Sequence, residues 1–481
     1  MKLLHTSDWH VGKAVRGRSR AAEHEAVLAE IAGIAEAESV DLVVVAGDLF
    51  DTATPTAEAE RIVYKALLDL AAGGRPVVVL AGNHDSAQRL AAVAPLSSAS
   101  GIHVASSIRP PGDGGVLEVV ADGHRTLVAL VPFPSQRYVV TADHLLAGDA
   151  ADANQAYRDR VARIVAALAS DFGGDTVNLV AAHLTVMGGE LGGGERGAHT
   201  VFDYWVPAVA FPSTAQYVAL GHLHRAQQLP GPAPLHYCGS PLQLDFGESA
   251  NDPQVNVVEA RPGLPARVRP VRLSAGRRLR ALRGTLAQVL ERAADPALGD
   301  AHLRIVLDEP PRAGLADEVR EQVPNAVEVV LAARERERTA RRSDPDRLRR
   351  TPHDLFAEYL AEHEADDPRV LTLFDALVDD AISPDEPLAA SAGSSSGPAG
   401  GSSAGPAGRL SPVAAPAGRL SPVSPAPSGD AADGGAAADD DADGGLAAVG
   451  GNATDANEGR PVLRLIRGDA PAPGPAKEPV P

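Results

Sequence analysis

The sequence predicts an α/β fold in which stacked β-sheets are flanked by helices. Between residue 1 and about residue 270, apolar runs typical of strands alternate with helical patterns such as 23–38 and 155–170, the latter leading into a strand at 177–183. The runs KLLHTSD, DLVVVAGD, PVVVLAGNHD and TVNLVAAH end in Asp or His, and AQYVALGHLH is a fifth candidate. Because loops at the carboxyl ends of strands converge at one edge of an open α/β sheet, these polar residues are predicted to form one site.

The polar residues that end these runs are predicted to hold metal ions. Asp8 and His10 are two residues apart, so in extended backbone their side chains point to one side and can hold the same ion. His222 and His224 have the same spacing. The full set of candidate ligands is Asp8, His10, Asp48, Asn83, His183, His222 and His224.

The candidate ligands comprise three carboxylate or amide oxygens and four imidazoles, which is too many for one ion. This mixture suits manganese, iron or zinc better than calcium, and a single cysteine, Cys238, argues against a structural zinc site. Two ions about 3.5 to 4 Å apart would share Asp48 and clamp the attacking and leaving oxygens of a phosphoester. The predicted chemistry is metal-assisted phosphoester hydrolysis.

Each motif taken alone has an ordinary explanation as a helix cap, a turn or a buried core histidine. Their joint order favours the metal site, and a turn at Asn83-His84-Asp85 does not require a histidine between an amide and a carboxylate. An imidazole beside two cations can protonate or stabilise a leaving oxygen if a carboxylate orients it. His84 is therefore the predicted catalytic histidine, and Asp85 is the nearest carboxylate to orient it.

The motif series resembles the calcineurin-like metallophosphoesterase superfamily. Within it, LLHTSDWHVGK, AGDLFD, LAGNHDS, GHLH and the stretch YCGSPLQLDFGE at 237–248 resemble the SbcD family, over residues 1 to about 375. The resemblance implies a metallophosphoesterase sandwich with two divalent ions, for which Mn²⁺ is expected. It assigns one ion to Asp8, His10, Asp48 and His224, the other to Asp48, Asn83, His183 and His222, and the catalytic role to His84.

One position departs from the family pattern. Asp51 stands where archaeal relatives have histidine, so it is given at most a supporting position beside the ligands, as is Asp85.

Composition divides the chain into further segments after the predicted nuclease domain at 1–270. Residues 276–335 alternate strand-like and helix-like patterns and are predicted to form a small second α/β unit, which resembles the capping domain of the SbcD family; 344–382 are predicted to be helical. Residues 383–481 contain no aromatic residue and are predicted to be a disordered, low-complexity tail. Within the tail, GRPVLRLIRG at 459–468 is either a short docking motif or an inert remnant.

The predicted C-terminal helices carry an apolar stripe formed by Leu355, Phe356, Tyr359 and Leu360. The stripe either packs within a helical hairpin of this protein or binds a partner. The family resemblance implies docking onto the coiled coil of an SbcC-like ATPase, in a heterotetramer that contains a homodimer of this chain. The chain has no Gly-x-x-x-x-Gly-Lys-Ser/Thr loop, so ATP hydrolysis is expected of that other subunit.

The resemblance implies a nuclease that cuts DNA ends and hairpins, as an exonuclease and a single-strand endonuclease, in DNA repair and recombination. A net charge of −19 does not contradict DNA binding, because 261–283 and 334–350 contain eight arginines each. The second cluster is also of mixed sign, which is typical of a solvated helix face. No apolar run approaches the roughly 20 residues of a membrane span, so a cytoplasmic, nucleoid-associated protein without membrane contact is expected.

Two other functions fit part of the pattern. A small-substrate metallophosphoesterase would use the same metal site, but it would not need the capping domain or the C-terminal helices. A non-catalytic scaffold for the ATPase would not need a complete ligand set with His84.

Overall fold

A computed structural model describes residues 1–134, 150–195, 205–334, 336, 352–362, 368–382 and 462–467. The chain forms two compact units, and the first comprises Met1–Glu386 together with Asn457–Pro481. The second, Pro387–Ala456, lies outside the described residues. Within the described part of the chain, no helix has both the length and the apolarity needed to cross a membrane.

The first sheet has six strands and contains the amino-terminal motifs. Its strands are β1 (Lys2–Thr6), β2 (Leu42–Val45), β3 (Val77–Leu80), β4 (Ile102–Ala105), β11 (Gln254–Arg261) and β12 (Leu264–Arg272), in the order β12-β11-β1-β2-β3-β4. The strands β1 to β4 are parallel. Every residue of β2 and β3 is buried, which explains why these strands read as continuous apolar runs without alternation.

Three helices connect the parallel strands: α1 (Ala21–Ala37), α2 (Ala57–Leu70) and α3 (Ala87–Ala99). The Thr56 side chain caps α2 by accepting a hydrogen bond from the Ala59 amide, and Ser86 caps α3 in the same way through the Arg89 amide. Because Ser86 directly follows the motif Asn83-His84-Asp85, this cap fixes where the motif ends and the helix begins.

The second sheet lies against the first. Its seven strands are β5 (Asp113–Ala121), β6 (His124–Val131), β7 (Val177–His183), β8 (Tyr217–Gly221), β9 (Gln227–Leu229), β10 (Leu235–Tyr237) and β16 (Val462–Arg467), in the order β16-β5-β6-β7-β8-β10-β9. Helix α4 (Ala150–Leu168) lies between β6 and β7 in sequence.

The hydrophobic core forms three layers around the two sheets. Leu3, Val44 and Val78 of the first sheet share a buried cluster with Val128 and Leu179 of the second. Helices α1 and α2 cover the outer face of the first sheet, and α4 covers the outer face of the second. The predicted class, a sandwich of stacked sheets flanked by helices, is confirmed.

A small α/β unit follows the sandwich. It consists of β13 (Leu279–Gly284), α5 (Leu286–Ala293), β14 (His302–Leu307), α6 (Leu315–Gln322) and β15 (Ala326–Leu331), and its three strands form a parallel sheet. Thr285 and Gln288 form a capping box at the start of α5. Val289, Ile305 and Val319 belong to a hydrophobic core separate from those of the sandwich. That this α/β unit is a capping domain stays a prediction.

The C-terminal helices α7 (Pro352–Glu362) and α8 (Pro368–Ile382) pack against each other. The rings of Phe356 and Phe374 stack with their centroids 4.0 Å apart, and His353 Nδ1 lies 2.8 Å from Asp375 Oδ2. Leu360 is buried. Part of the predicted docking stripe therefore lies inside a hairpin, which is the alternative that the sequence left open.

One segment of the predicted disordered tail is ordered. Residues Val462–Arg467, inside the motif GRPVLRLIRG, form β16 and pair antiparallel with β5. An edge strand presents unpaired backbone groups, and this segment is the part of the tail with enough apolar residues to add a strand there. The rest of 383–481 lies outside the described residues.

Candidate metal centre

The predicted ligands follow the carboxyl ends of strands from both sheets. Asp8 lies two residues after β1, and Asp48 and Asn83 lie three residues after β2 and β3. In the second sheet, His183 is the last residue of β7 and His222 comes directly after β8. The site is thus built where the two sheets meet at one edge of the sandwich.

Asp8, His10 and His224 form the first group of candidate ligands. Their ligand atoms lie within 4.8 Å of one another, and His10 Nε2 is 3.1 Å from His224 Nε2. The backbone N–H of His222 donates a hydrogen bond of 2.9 Å to Asp8 Oδ1. This bond ties the loop after β1 to the loop after β8, so a residue of the first sheet and one of the second are held in a single group.

Asp48, His183 and His222 form the second group, again with ligand atoms within 4.8 Å of one another. Asn83 joins it, because its Oδ1 lies 3.0 Å from His183 Nε2 and 2.7 Å from His222 Nδ1. Asp48 Oδ2 is 3.5 Å from His183 Nε2 and 3.4 Å from His10 Nε2. This carboxylate therefore lies between the two groups.

Several ligand residues have an unusual backbone. The φ angles of Asp8, His10, Asp48 and His222 are 54°, 47°, 53° and 103°, in the left-handed region that L-residues disfavour. The conformation is maintained by hydrogen bonds between the first two loops: the Asp8 amide donates to Gly47 O and the His10 amide to Asp48 O, each at 3.0 Å. Such strain concentrates at functional sites, where it aims side chains that regular backbone would point elsewhere.

Gly82 is required by the close approach of two ligand loops. A Cβ atom on this residue would lie 2.1 Å from Asp48 Oδ1 and 2.4 Å from the Asp48 amide nitrogen. The Gly-Asn pair in the third motif therefore serves to bring the backbone before Asn83 against Asp48.

We expect Gly82→Ala to weaken metal binding by roughly 10- to 100-fold, because the added methyl group displaces the Asp48 carboxylate. Titration calorimetry with Mn²⁺ measures the effect. Gly174→Ala is the matched control, since among the described residues nothing lies within 4 Å of a Cβ atom there. Wild-type affinity in Gly82→Ala would contradict the packing argument.

The electrostatics of the buried ligands favour a cation. Burial alone raises the pKa of Asp48, but the charges of His183 and His84 outweigh it and hold that pKa well below its ordinary value. Burial also lowers the pKa of His10 far below its usual range, so this imidazole is neutral and its lone pair is available. An ionised carboxylate beside a neutral imidazole is the donor set that divalent transition ions bind.

Two histidines are oriented through the nitrogen that faces away from the site. His183 Nδ1 lies 2.7 Å from Ala46 O, and His224 Nδ1 lies 2.7 Å from Glu248 Oε1. Because both oxygens only accept hydrogen bonds, each Nδ1 carries a proton. Despite the burial of both rings, nearby carboxylates raise the pKa of His183 and of His224 to about 9, so a bound cation would displace the proton on each Nε2 and use the lone pair that faces the site. The residues present therefore fit two divalent ions.

His84 lies beside both groups. Its backbone N–H donates to Asp48 Oδ1 at 2.8 Å, and its ring centroid is 4.5 Å from that of His10. The nitrogen His84 Nδ1 lies 2.7 Å from the backbone carbonyl oxygen of Asp51, which fixes the direction of the ring. The hydrogen bond that orients His84 thus goes to a main-chain carbonyl, whereas the sequence suggested the Asp85 carboxylate.

The carboxylates of Asp85 and Asp51 have other contacts. Asp85 accepts hydrogen bonds from the backbone N–H groups of Leu49, Phe50 and Gly82, at 2.9 to 3.2 Å, so it joins the second and third ligand loops. Asp51 Oδ1 lies 3.1 Å from Lys13 Nζ and 3.7 Å from His10 Nδ1. Asp85 therefore contacts the backbone of the candidate ligand loops, and Asp51 contacts the ring of His10. These contacts fit residues that lie beside the candidate ligands.

Sequence reasoning did not single out three residues that contact the ligands. Glu248 reaches His224, Glu195 Oε1 accepts a hydrogen bond of 3.0 Å from the His224 amide, and the Phe133 ring stacks on His222 at 5.9 Å. The signal for Glu248 was its position as the last residue of YCGSPLQLDFGE. Glu195 and Phe133 had no comparable signal, because neither belongs to a motif.

Comparison with known proteins agrees with this geometry. Residues 1–226 match the model of the calcineurin-like phosphoesterase family, and 275–364 match that of the type 5 capsule protein repressor C-terminal domain. The chain is similar to the D subunit of nuclease SbcCD from Bacillus subtilis strain 168, with 38% identity over 58% of this chain and 71% of the relative.

Proteins of the same name in two other bacteria give similar values. The identity is 38% for Rhodobacter capsulatus, over 56% of this chain and 69% of the relative. It is 32% for Escherichia coli K12, over 60% of this chain and 72% of the relative. By these similarities, the chain belongs to the SbcD family of calcineurin-like metallophosphoesterases.

Proposed function

We propose that this chain is the nuclease subunit of an SbcCD-like complex and hydrolyses DNA phosphodiesters with two divalent ions. The observation that carries the proposal is the position of Asp48, whose Oδ2 lies 3.4 Å from His10 in one ligand group and 3.5 Å from His183 in the other. A carboxylate between two such groups is suited to bridge two ions. When bound, two divalent ions neutralise phosphate charge, orient the ester and activate water for in-line attack.

We propose Mn²⁺ as the metal and the ligand assignment given by the family resemblance. Aspartate oxygens and histidine nitrogens together suit manganese, whereas calcium prefers a cage of oxygens. The imidazole of His84 is proposed to act on the leaving oxygen. His84 Nδ1 donates a hydrogen bond to the Asp51 carbonyl oxygen, so Nε2 is the nitrogen that faces the reaction. A proton held on Nε2 can pass to the leaving oxygen of the ester, which yields a hydroxyl group and a neutral imidazole.

Several of the eight arginines of 261–283 form ion pairs at the protein surface. Arg269 pairs with Glu38 at 2.7 Å, Arg272 with Asp252 at 3.2 Å, and Arg277 and Arg283 with further aspartates. These are surface ion pairs whose arginines remain 41 to 77% exposed, so they compete only weakly with phosphate binding. The second cluster, 334–350, is the one that we propose for DNA contact; only Arg334 and Arg336 of it lie within the described residues.

We propose that the C-terminal hairpin docks onto the coiled coil of an SbcC-like ATPase, in an assembly of two chains of each kind. Of the four predicted docking residues, Tyr359 is 52% exposed, whereas Leu360 is 6% exposed and Phe356 stacks within the hairpin. On α8, Leu373 and Leu377 are 59% and 56% exposed and lie one helical turn apart. The proposed docking face therefore combines Tyr359 with the α8 stripe.

We expect the double substitution Leu373→Glu and Leu377→Glu to abolish association with the ATPase while the chain remains folded. Each buried leucine contributes roughly 1.5 to 3 kcal/mol to such an interface, so their loss weakens a nanomolar complex by at least about 100-fold. The measurement is co-purification of the two subunits, with a circular dichroism melt of the variant.

Leu264→Glu is the control for this experiment, because Leu264 is 59% exposed at the start of β12, a strand of the first sheet and not part of the hairpin. Unchanged co-purification of the double variant would place the interface elsewhere. Charges at Phe356 and Leu360 are a poorer test, since Phe356 stacks on Phe374 and Leu360 is buried, so their replacement would disrupt packing within this chain.

The proposed function is tested with the purified chain, Mn²⁺, hairpin DNA and a chromogenic phosphate ester, with and without the ATPase. We expect cleavage of the hairpin, stimulation by the ATPase with ATP, and little turnover of the small ester. Efficient ester hydrolysis without DNA cleavage would instead indicate a small-substrate phosphoesterase.

A further inference from the structure

Glu248 is a buried carboxylate in direct contact with a candidate metal ligand. It ends a short 3₁₀ turn, Phe246–Glu248, and is 1% exposed. Its Oε1 lies 2.7 Å from His224 Nδ1, and its Oε2 accepts a hydrogen bond of 2.8 Å from the Leu244 amide. Each oxygen thus has a separate N–H donor, and the direction of the carboxylate is fixed by the backbone.

A glycine-rich loop encloses the pair formed by Glu248 and His224. A Cβ atom on Gly194 would lie 1.9 Å from Glu248 Oε1, and one on Gly192 would lie 2.8 Å from His224 Cβ. Glu195 accepts hydrogen bonds from the amides of Gly192 and Gly193, which holds the loop in this position. Because its glycines lack side chains, the loop can pack closely against Glu248, and Glu248 is the hydrogen-bond partner of His224 Nδ1.

The turn that carries Glu248 is also joined to the capping domain. Asp245 precedes the turn, and its Oδ2 lies 3.3 Å from Arg16 Nη1. The nitrogen Arg16 Nε lies 2.9 Å from Glu328 Oε2, on strand β15 of the capping sheet. The Arg16 guanidinium also lies over the Phe246 ring, 5.7 Å from its centroid. One arginine therefore contacts both the turn and the capping domain.

We propose that Glu248 is a positioning residue for His224, and that the contacts of Arg16 make this position depend on the capping domain. This inference rests on the proposed metal centre. Glu248 keeps the His224 proton on Nδ1 and holds the ring so that Nε2 faces His10 Nε2, 3.1 Å away. It acts on the ion assigned to Asp8, His10, Asp48 and His224, and leaves the other ion unaffected.

The sharpest test is Glu248→Gln, which preserves shape but offers one acceptor to two N–H donors. Either His224 or the Leu244 amide then faces an NH₂ group. We expect Mn²⁺ affinity at one of the two sites to fall by roughly 10- to 100-fold, as for other partners of metal-binding histidines, with the second site unchanged. Cleavage should recover at saturating Mn²⁺. Titration calorimetry and metal-free circular dichroism melts give the readout.

Glu190→Gln is the matched control, because the Glu190 side chain is 67% exposed and pairs with Arg225, the residue after His224, instead of with a candidate metal ligand. If the wild type binds two ions and Glu248→Gln binds both equally well, the positioning role is wrong. A wild type that binds no Mn²⁺ would instead overturn the proposed metal centre. The two failures are therefore distinguishable.

If Glu248→Gln does not fold, the wild-type protein provides the test. With diamagnetic Zn²⁺ bound, nitrogen NMR should find the His224 proton on Nδ1. An Nδ1 proton that exchanges with water as fast as that of an exposed imidazole would show that Glu248 does not hold it and would overturn the inference. A proton on Nε2 would instead overturn the assignment of His224 as a ligand.

The link to the capping domain is tested with Glu328→Gln. Because Arg16 is partly exposed, we expect a decrease in Mn²⁺ affinity of at most about fivefold, at the same site that Glu248→Gln weakens. In the Glu248→Gln background the second substitution should have no further effect. Full additivity of the two substitutions would show that the capping domain acts by another route.

Discussion

Asp48→Ala is expected to abolish nearly all phosphodiester hydrolysis and to reduce metal binding more than loss of any terminal ligand. The carboxylate lies between the two ligand groups, and it also accepts the backbone N–H of His84 at 2.8 Å. Its removal would therefore affect both proposed ions and the loop that places His84, the proposed catalytic histidine. A bridging ligand serves both ions, so neither is held in position to stabilise the attacking or the leaving oxygen.

The measurement combines the metal content of the purified variant with single-turnover cleavage of hairpin DNA in Mn²⁺. Asp69→Ala is the control, because Asp69 is an exposed carboxylate on α2 that pairs only at the surface with Lys65. Two tightly bound ions per chain together with wild-type turnover in Asp48→Ala would refute the dinuclear site.

The position of the site could be predicted from the sequence because parallel strands end at a common edge of the sheet. Apolar runs such as DLVVVAGD bury both faces, so the run itself marks a central strand and its last residues mark the edge. The polar residue that follows the run must then lie in the loop at the carboxyl end of that strand. This reasoning places Asp48, Asn83 and His183 at one edge, and the structure brings their side chains together.

The partner of His84 could not be predicted, because it is a backbone atom. Every residue has a backbone carbonyl oxygen, so the sequence does not mark the one that accepts a hydrogen bond. The Asp51 carbonyl lies beside His84 because of the turn that follows β2. Glu248 was hidden for a different reason. It lies 24 residues beyond His224 in sequence, and its contact depends on how a glycine-rich loop packs.

The C-terminal helices show a limit of periodicity. A stripe such as Leu355, Phe356, Tyr359 and Leu360 predicts that one face of the helix is buried, but it cannot say which surface covers that face. The structure covers part of it with Phe374 and leaves Tyr359 largely exposed. The docking partner remains a prediction for this reason.

His84→Ala is expected to slow cleavage by roughly 10²- to 10⁴-fold while leaving two ions bound and DNA affinity close to normal. The imidazole is held by its own contact with the Asp51 carbonyl, and the proposed ligand set does not require it. Its removal should therefore cost the proton transfer to the leaving oxygen, equivalent to about 2.7 to 5.5 kcal/mol of activation free energy, without dispersing the metal site.

The comparison with Asp48→Ala distinguishes two roles of His84, proton transfer and metal coordination. His84 Nε2 or Nδ1 also lies within 4.8 Å of ligand atoms of His10 and Asp48, so a role as a ligand is the alternative that must be tested. Metal content, DNA binding and single-turnover rates should be measured for both variants in the same buffer. His124→Ala serves as the control, because His124 begins β6 and so lies at the amino end of the strand, away from the site.

The two roles predict opposite patterns. If His84 transfers a proton, His84→Ala retains manganese, binds DNA and cleaves slowly, and a substrate with a better leaving group recovers part of the lost rate because its oxygen needs no proton. If His84 is a ligand, the variant loses manganese as Asp48→Ala does, and no leaving group restores the rate. Loss of metal in His84→Ala would therefore show that His84 coordinates an ion and does not act in proton transfer.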